Sequence, residues 1–305
     1  MTSEIKLTVV VSCYKQENYI ATCLQSILDQ EVDFNYEIVV GDDLSPDRTR
    51  EVIQQFVDRY PGKILTLFNE KNLGAARNYF SIHGRANGKY VAHIDGDDVM
   101  LPGKLQAQVN LMDANPECNV VFHRSRYFSD DGNYRADTGS LFENGKTVFL
   151  SADQLARWGT IATHGSYMYR RATRRTREYE FDFMEWYLAF EAVASGGVAA
   201  YINEIYLEYR CNPTGNAYLA TRAGREKSYS ILIQNVIHCF DLYPEYRADL
   251  YTHLLISMAM YFKNSHRVPV SWCRFLLRNV SFFRPFNFIE TVKVRKMVAP
   301  ARKIR

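Results

Sequence analysis

Tyr90-Val91-Ala92-His93-Ile94-Asp95-Gly96-Asp97-Asp98, running on into Val99-Met100-Leu101-Pro102, decides how the rest of the chain is read. Val91 and Ile94 lie in a short apolar run of the kind that forms a buried strand, and the run ends in three carboxylates within four residues. Pro102 then opens a helix predicted over Leu101 to Met112. Carboxylates this close repel one another by on the order of several kcal/mol in a poorly solvated site, unless they are protonated or share a cation. Hard oxygen ligands suit Mg²⁺ or Mn²⁺, which take one or two protein carboxylates and leave the other positions to water and phosphate. Taken alone, the motif reads equally as a solvated acidic turn capping the helix, so the surrounding sequence has to choose.

Upstream, Leu7 to Ser12 is a β-rich run, and Ile20, Cys23, Leu24, Ile27 and Leu28 follow at helical spacing. Tyr36 to Val40 reads as a second strand that ends in Gly41-Asp42-Asp43-Leu44-Ser45-Pro46-Asp47. Thr49 to Tyr60 reads as a helix, Ile64 to Phe68 as a third strand and Ala75 to Ala86 as another helix. Strands alternating with helices predict an α/β protein with a mostly parallel sheet, whose ligands gather beyond the carboxyl ends of the strands. Ser12, Cys13 and Tyr14 close the first strand, Asp42 and Asp43 the second, and Asp95 to Asp98 the fourth. On one sheet edge they would offer a ring to stack on a base, a carboxylate for a base or ribose donor, and a metal for a diphosphate. Neither GxGxxG nor GxxxxGK[ST] occurs, which argues against a dinucleotide enzyme and a P-loop NTPase.

With 305 residues and 47% apolar content the chain can bury a full core. No apolar run approaches the roughly 20 residues of a membrane span. The N-terminal run Leu7 to Val11 reads as a strand rather than a signal peptide. Cys13, Cys23, Cys118, Cys211, Cys239 and Cys273 lack CxxC spacing, so neither a zinc site nor a disulfide framework is indicated and a cytoplasmic location is expected. The net charge of +3 hides an asymmetry: from His266 to Arg305 seven Arg and three Lys face one Glu, a net +9 that leaves −6 on the rest. A basic, aromatic-rich tail on an acidic body points to an anionic partner, a membrane leaflet or a nucleic acid.

Val9-Val10-Val11-Ser12-Cys13-Tyr14-Lys15, Ile27-Leu28-Asp29-Gln30, Glu37-Ile38-Val39-Val40-Gly41-Asp42-Asp43, Asn72-Leu73-Gly74-Ala75-Ala76-Arg77-Asn78 and Asp95-Gly96-Asp97-Asp98 stand in the order and spacing of a known family. Over about residues 5 to 215 the chain resembles the family-2 glycosyltransferases of GT-A fold, which are inverting and nucleotide-sugar dependent. The resemblance implies that Ser12 and Tyr14 line the base pocket, that Asp43 bonds the base, that Arg77 contacts the base or diphosphate and that Asp95 meets the ribose or sugar. It gives Asp97 to the metal, Mn²⁺ or Mg²⁺, and leaves Asp98 near the sugars. Each has a structural alternative: Tyr14 as core edge, Asp42 or Asp43 as a helix cap, Arg77 as a solvated helix residue.

In the second half, Met184-Glu185-Trp186 matches the family position where an acidic residue before an aromatic opens a helix, ahead of Gly196-Gly197, the strand Val198 to Ile202 and Tyr209-Arg210. Glu185 is therefore the expected catalytic base, with Asp182 and Glu180 as alternates. A carboxylate there would take the acceptor hydroxyl's proton, and packing against Trp186, also expected near the sugars, would desolvate it and raise its pKa. Two departures stand out. Glu replaces the commoner Asp at 185, and Asn212 occupies the position where many relatives carry a His toward the metal or diphosphate. His164, in His164-Gly165-Ser166 before the strand Tyr167 to Arg170, is expected either to bind acceptor or donor hydroxyls or to be a satisfied structural histidine, as are His123 and Arg124.

Beyond Thr221 the pattern is helical, with Tyr229 to Phe240 and Leu250 to Phe262 at helical spacing. Trp272, Phe275, Leu276 and Leu277 interleave with Arg274 and Arg278 before Phe282, Phe283, Phe286 and Phe288. Such a segment either lies on an anionic membrane surface or docks on the protein with a frayed basic end. The expectation is a catalytic domain over residues 1–215, its nucleotide-binding half to about residue 100 and its acceptor-binding half from 101, with a helical region over 216–305. Its activity would be inverting transfer from a nucleotide-sugar donor, of uracil or thymine base rather than guanine, to a glycan or lipid-linked glycan acceptor, peripheral to the inner face of a bacterial membrane and without a nucleic-acid partner. A nucleotidyltransferase releasing pyrophosphate and a non-catalytic binding protein using the basic tail are the rivals.

Overall fold

The computed structural model describes residues 4–141, 147–174, 182–211 and 221–300. The strands are β1 (Leu7–Cys13), β2 (Tyr36–Asp42), β3 (Ile64–Phe68), β4 (Tyr90–Asp95), β5 (Val99–Met100), β6 (Cys118–Phe128), β7 (Arg135–Asp137), β8 (Thr147–Leu150), β9 (Met168–Arg170) and β10 (Val198–Arg210). They form one sheet in the order β3-β2-β1-β4-β9-β6-β10-β5, with β7 added on β6 and β8 on β10. The helices are α1 (Ile20–Leu28), α2 (Thr49–Arg59), α3 (Ala75–His83), α4 (Lys104–Ala114), α5 (Ala152–Trp158), α6 (Glu185–Ala194), α7 (Arg222–Leu242), α8 (Arg247–Ser265), α9 (Val270–Arg278) and α10 (Pro285–Val298).

Register decides where the polar residues go. β1 lies parallel between β2 and β4, with Ser12 opposite Gly41 on one side and Asp95 on the other. The three strand ends thus finish level, and their loops emerge at one edge. β9 runs antiparallel to both β4 and β6, and is the seam between this parallel half and the parallel pair of β6 and β10. The helix expected from Leu101 begins later, at Lys104, because Val99 and Met100 first pair antiparallel with Glu208 and Leu207. That pairing carries the chain from Asp98 back to the end of β10. The expected strand from Val198 and the Tyr209-Arg210 pair are one continuous strand.

Side-chain alternation along β1 feeds two cores. Leu7, Val9 and Val11 join Ile20, Cys23, Leu24 and Ile27 of α1 on one face. Val10, with Val39 and Val91, faces a second core that takes in Trp186 and Phe190 of α6, Ile233 and Val236 of α7, Leu250 and Leu254 of α8, and Val294 of α10. Burying each such aliphatic side chain is worth about 1.5–3 kcal/mol, so the C-terminal helices are built into the sheet's own core. α9 is different: none of its residues is buried.

Candidate functional site

Gly96 follows β4 and donates its amide to the Ser12 carbonyl at 2.9 Å. A methyl group there would meet the Gln16 side chain at 2.4 Å and Ile20 at 2.9 Å, so any larger residue has to push both side chains aside. Beyond it the carboxylates diverge. Asp97 stays half-buried, and apart from its own amide its side chain accepts from no other described residue. Burial and the neighbouring Asp95 push it up to about 6, against the pull of Arg210. Arg210 donates from Nε to the Asp97 carbonyl at 2.8 Å and is flanked by the rings of Tyr19 and Phe128.

Asp98 turns inward. It is 1% exposed, one oxygen accepts the Arg210 amide at 2.9 Å and the other has no partner among the described residues. Burial, with Asp97 and Asp95, holds it well above the usual carboxylate range. This corrects the expectation of a sugar contact, since the Asp98 carboxyl is sealed beneath the cleft by the return of β10.

A half-buried, unpartnered carboxylate made costly as an anion by a second one alongside is what a hard divalent cation relieves. Asp97, with the 38%-exposed Asp95, fits Mg²⁺ or Mn²⁺ on that ground. His93, Asp95 and His164 also bring donor atoms within 4.8 Å of one another. They fit a cation less well, because the two imidazoles stack at 3.8 Å and 19°, which aims their lone pairs side by side rather than at one point. Asn212 lies outside the described residues.

At the neighbouring strand ends, Ser12 Oγ accepts from Asn78 at 3.2 Å and Tyr14 stands half-buried just past β1. The two flanking loops carry left-handed non-glycine residues, Lys15 at φ 58° and Leu44 at φ 60°, and the Lys15 amide donates to Ser45 Oγ at 2.9 Å. Each such conformation costs on the order of 1–3 kcal/mol and persists only where the surroundings impose it. Asp43 is the second correction. It is 4% exposed, and its oxygens accept from Leu73 N at 2.7 Å, Asn69 Nδ2 at 2.9 Å and Gly74 N at 2.9 Å. With those donors in place it braces the loop that opens α3 and presents no edge to a base. Asp42, fully buried, is held by Arg50 and the Ser45 amide. Arg77 is exposed on the first turn of α3, with no hydrogen bond or ion pair among the described residues.

Glu185 is the first residue of α6, and α7 fixes how the chain enters it: Asn235 accepts from the Met184 amide at 2.8 Å and donates to the Asp182 carbonyl at 3.1 Å. Asp182 itself is exposed, and Glu180 is outside the described residues. The Glu185 side chain is 31% exposed and its Oε1 lies 3.4 Å from His164 Nδ1. Burial, with a contribution from Asp95, raises it to about 7. Burial holds His164 well below its usual range, so a neutral imidazole stands beside the carboxyl. The turn bearing His164 is pinned from α4, where buried Lys104 donates to the Gly165 carbonyl and Gln108 to that of Ser166.

Trp186 is the third correction. Successive helix residues point roughly 100° apart, and Trp186 faces the core at 1% exposure, its indole N–H donating to the Leu155 carbonyl at 2.8 Å and its ring against Phe190 and His253. It neither desolvates Glu185 nor offers a sugar platform. The pocket around Glu185 is lined instead by Tyr79, His93, Tyr167, Tyr169 and Arg174. Sequence reasoning passed over these residues and Asn235. One was within reach: His93 stands two before Asp95 on a strand, and residues i and i+2 share a face.

The chain matches the family Glycosyl transferase family 2 over residues 8–176. An uncharacterised protein of Mycobacterium tuberculosis is 30% identical over 210 residues, 68% of this chain and 60% of its own length, so the chain spans three fifths of that relative. WfgD of Escherichia coli, named as a UDP-Glc:alpha-D-GlcNAc-diphosphoundecaprenol beta-1,3-glucosyltransferase, is 31% identical over 121 residues, 40% of this chain and 45% of WfgD. The crystal structure of S. aureus TarS in complex with UDP-GlcNAc superposes with a TM-score of 0.66 at 19% identity, over 96% of this chain and 84% of the TarS chain, a likeness of fold.

Proposed function

The chain belongs to glycosyl transferase family 2, and from that premise we propose an inverting transfer of one sugar from a UDP-sugar donor to a hydroxyl of a glycan or lipid-linked glycan. The process it serves would be bacterial surface polysaccharide assembly, of a capsule, lipopolysaccharide or O-antigen. The observation that carries the reading is the pairing of two unlike carboxyls in one cleft: Glu185, raised to about 7, and Asp97, unpartnered beside Asp95. The names of WfgD and of the TarS complex favour a UDP-sugar and, for WfgD, a lipid-linked acceptor.

Glu185 takes the proton of the acceptor hydroxyl as its oxygen attacks the anomeric carbon from the side opposite the diphosphate. A base near pH 7 is matched to that task, worth on the order of 10²–10⁴ in rate. His164, neutral at 3.4 Å, orients the carboxyl and meets a sugar hydroxyl. Ser12, Tyr14 and the exposed Arg77 receive the nucleotide, and Asp95 the ribose or donor sugar. Asp97 and Asp95 would hold Mg²⁺ or Mn²⁺, which when bound neutralises charge on the departing nucleoside diphosphate.

A thermal-shift series with UDP and UDP-sugars, with and without Mn²⁺, tests the donor site. A ligand at 100 times its Kd adds about 2.7 kcal/mol of stability. We expect metal-dependent stabilisation of the wild type that disappears in Asp97→Asn. An equal response in the variant, or none to any nucleotide in the wild type, overturns the reading.

The same reading puts the protein on an anionic membrane surface. No helix among the described residues is long and apolar enough to cross a membrane. Yet Val270, Leu277, Val280, Phe283, Phe286 and Ile289 are exposed along α9, the turn after it and α10, and Arg267, Arg274, Arg278 and Arg284 are exposed among them. Apolar side chains in the interface with arginines on headgroups suit this pattern, at about 1 kcal/mol per basic residue. Co-sedimentation with phosphatidylglycerol vesicles, absent with phosphatidylcholine alone, should weaken about tenfold in a Leu277→Glu, Phe286→Glu double variant. Unchanged sedimentation removes the membrane from the reading.

A further inference from the structure

Beneath the cleft runs a line of buried hydrogen bonds that the reaction outlined above does not use. Arg174 Nη1 lies 2.8 Å from His83 Nδ1 and also bonds the Tyr169 hydroxyl, which is itself 2.6 Å from His83 Nδ1. His83 Nε2 lies 3.0 Å from His93 Nδ1. His93 Nε2 lies 3.3 Å from Asp95 Oδ1. His83 is 7% exposed and His93 1% exposed, whereas the Asp95 side chain is 38% exposed, so the line reaches solvent at Asp95.

The direction of these bonds follows from their chemistry. A guanidinium only donates, so His83 Nδ1 accepts, whether from Arg174 or from the Tyr169 hydroxyl that Arg174 supplies. A ring that accepts at Nδ1 carries its proton on Nε2, so His83 donates to His93 Nδ1. His93 in turn carries its proton on Nε2 and donates to Asp95. The tautomers of both histidines are thereby set by one arginine at the far end. Ring contacts hold the line in place: Tyr79 packs on His83 at 3.8 Å and His164 on His93 at 3.8 Å.

We propose that His93 is a positioning residue for Asp95, its tautomer dictated through His83 by Arg174, so that one Asp95 oxygen is bound from below and the other is presented to the donor. The proposal rests on the glycosyl-transfer reading for the identity of the ligand at Asp95 and on nothing else in it. A carboxylate oxygen held by an N–H from a fixed ring keeps one rotamer. Without that bond Asp95 is free to turn toward the solvent. The effect belongs in donor binding, because the bond touches Asp95 and not the attacking hydroxyl.

Two measurements test it. Long-range ¹⁵N correlation spectra of the full chain report histidine tautomers without any ligand. We expect His83 and His93 both as Nε2–H forms in the wild type, and a mixture of tautomers in Arg174→Met. A His93 Nδ1–H form in the wild type overturns the proposal. The second measurement titrates UDP with Mn²⁺ by thermal shift. His93→Phe keeps the stack on His164 but has no N–H, and we expect it to bind about tenfold more weakly. His93→Gln can accept from His83 with its oxygen and donate to Asp95 with its amide nitrogen, and it should restore binding to within about threefold. A merely space-filling role predicts the reverse order, with phenylalanine the better replacement, and that result sinks the idea. If the wild type does not respond to UDP, the functional reading fails, and the spectra still decide the tautomers.

Discussion

Two strands of one sheet, β2 and β4 on either side of β1, each end in a pair of adjacent carboxylates, and the molecule treats the two pairs differently. At the end of β2, Asp42 and Asp43 are surrounded by donors: Arg50 and the Ser45 amide for one, and Asn69, Leu73 N and Gly74 N for the other. At the end of β4, no other described residue donates to the Asp97 side chain, and burial raises it to about 6. Three of the four oxygens of the first pair hold loops together, Asp42 Oδ2 alone lacking a partner; in the second pair Asp98 takes the Arg210 amide, and Asp97 accepts from no other described residue. What separates them is not residue type but the supply of N–H groups from the following loop. A carboxylate with unspent acceptor capacity in a partly desolvated site is the one to examine for function.

Glu185 extends the comparison across the cleft, and removing its charge should give the largest effect. Glu185→Gln keeps the shape and removes the base, so transfer should fall about 10²–10⁴-fold, measured as the acceptor-dependent rate of UDP release. The pH dependence has a definite sign. The base acts as the carboxylate, so wild-type kcat should rise as pH passes upward through about 7 and level off above it. Stability should move the other way. A carboxyl whose folded pKa is raised favours the native state below its unfolded value near 4.3 and loses that advantage as pH climbs to about 7. At pH 8 the glutamine variant should therefore melt no lower than wild type, and its advantage is modest because the side chain is 31% exposed. A glutamine variant that keeps its activity would put Glu185 with Asp42 and Asp43, among carboxylates that only build the fold.

The parallel half of the sheet was legible because short apolar runs that switch to helical spacing are local signals: Ile64–Phe68 carries the predicted bounds. Which strand end holds free carboxylates was less legible. Asp43 is engaged by residues 26 to 31 positions away, and Asp98 is drawn inward by an amide 112 residues away. Both facts depend on loops that pattern alone does not dock. Trp186 failed for a related reason: an aromatic beside an acid suggests contact, yet consecutive helical residues face different ways, and α5 and α8 made the more complete pocket for the indole. The histidine line needs α3, β4 and β9 together, three elements whose adjacency is a property of the finished sheet.

A smaller effect sharpens the contrast from the other side. If Asp43 is a brace, its loss should be read in stability first. Asp43→Ala leaves the amides of Leu73 and Gly74 and the Asn69 side chain without their acceptor. Hydrogen bonds to a charged group are worth about 1.5–3 kcal/mol each, but Gly74 is exposed and water can replace part of the loss. A net cost of about 2–4 kcal/mol follows, a fall in Tm of roughly 3–6 °C. Asp43→Asn, which keeps one acceptor oxygen, should cost about half as much. Nucleotide binding, measured well below the melting range, should change only a few-fold in either variant, because the carboxylate presents no edge to a base. The opposite outcome, an unchanged Tm with UDP binding abolished, would return Asp43 to the role the family resemblance implies and make both strand ends part of the ligand site.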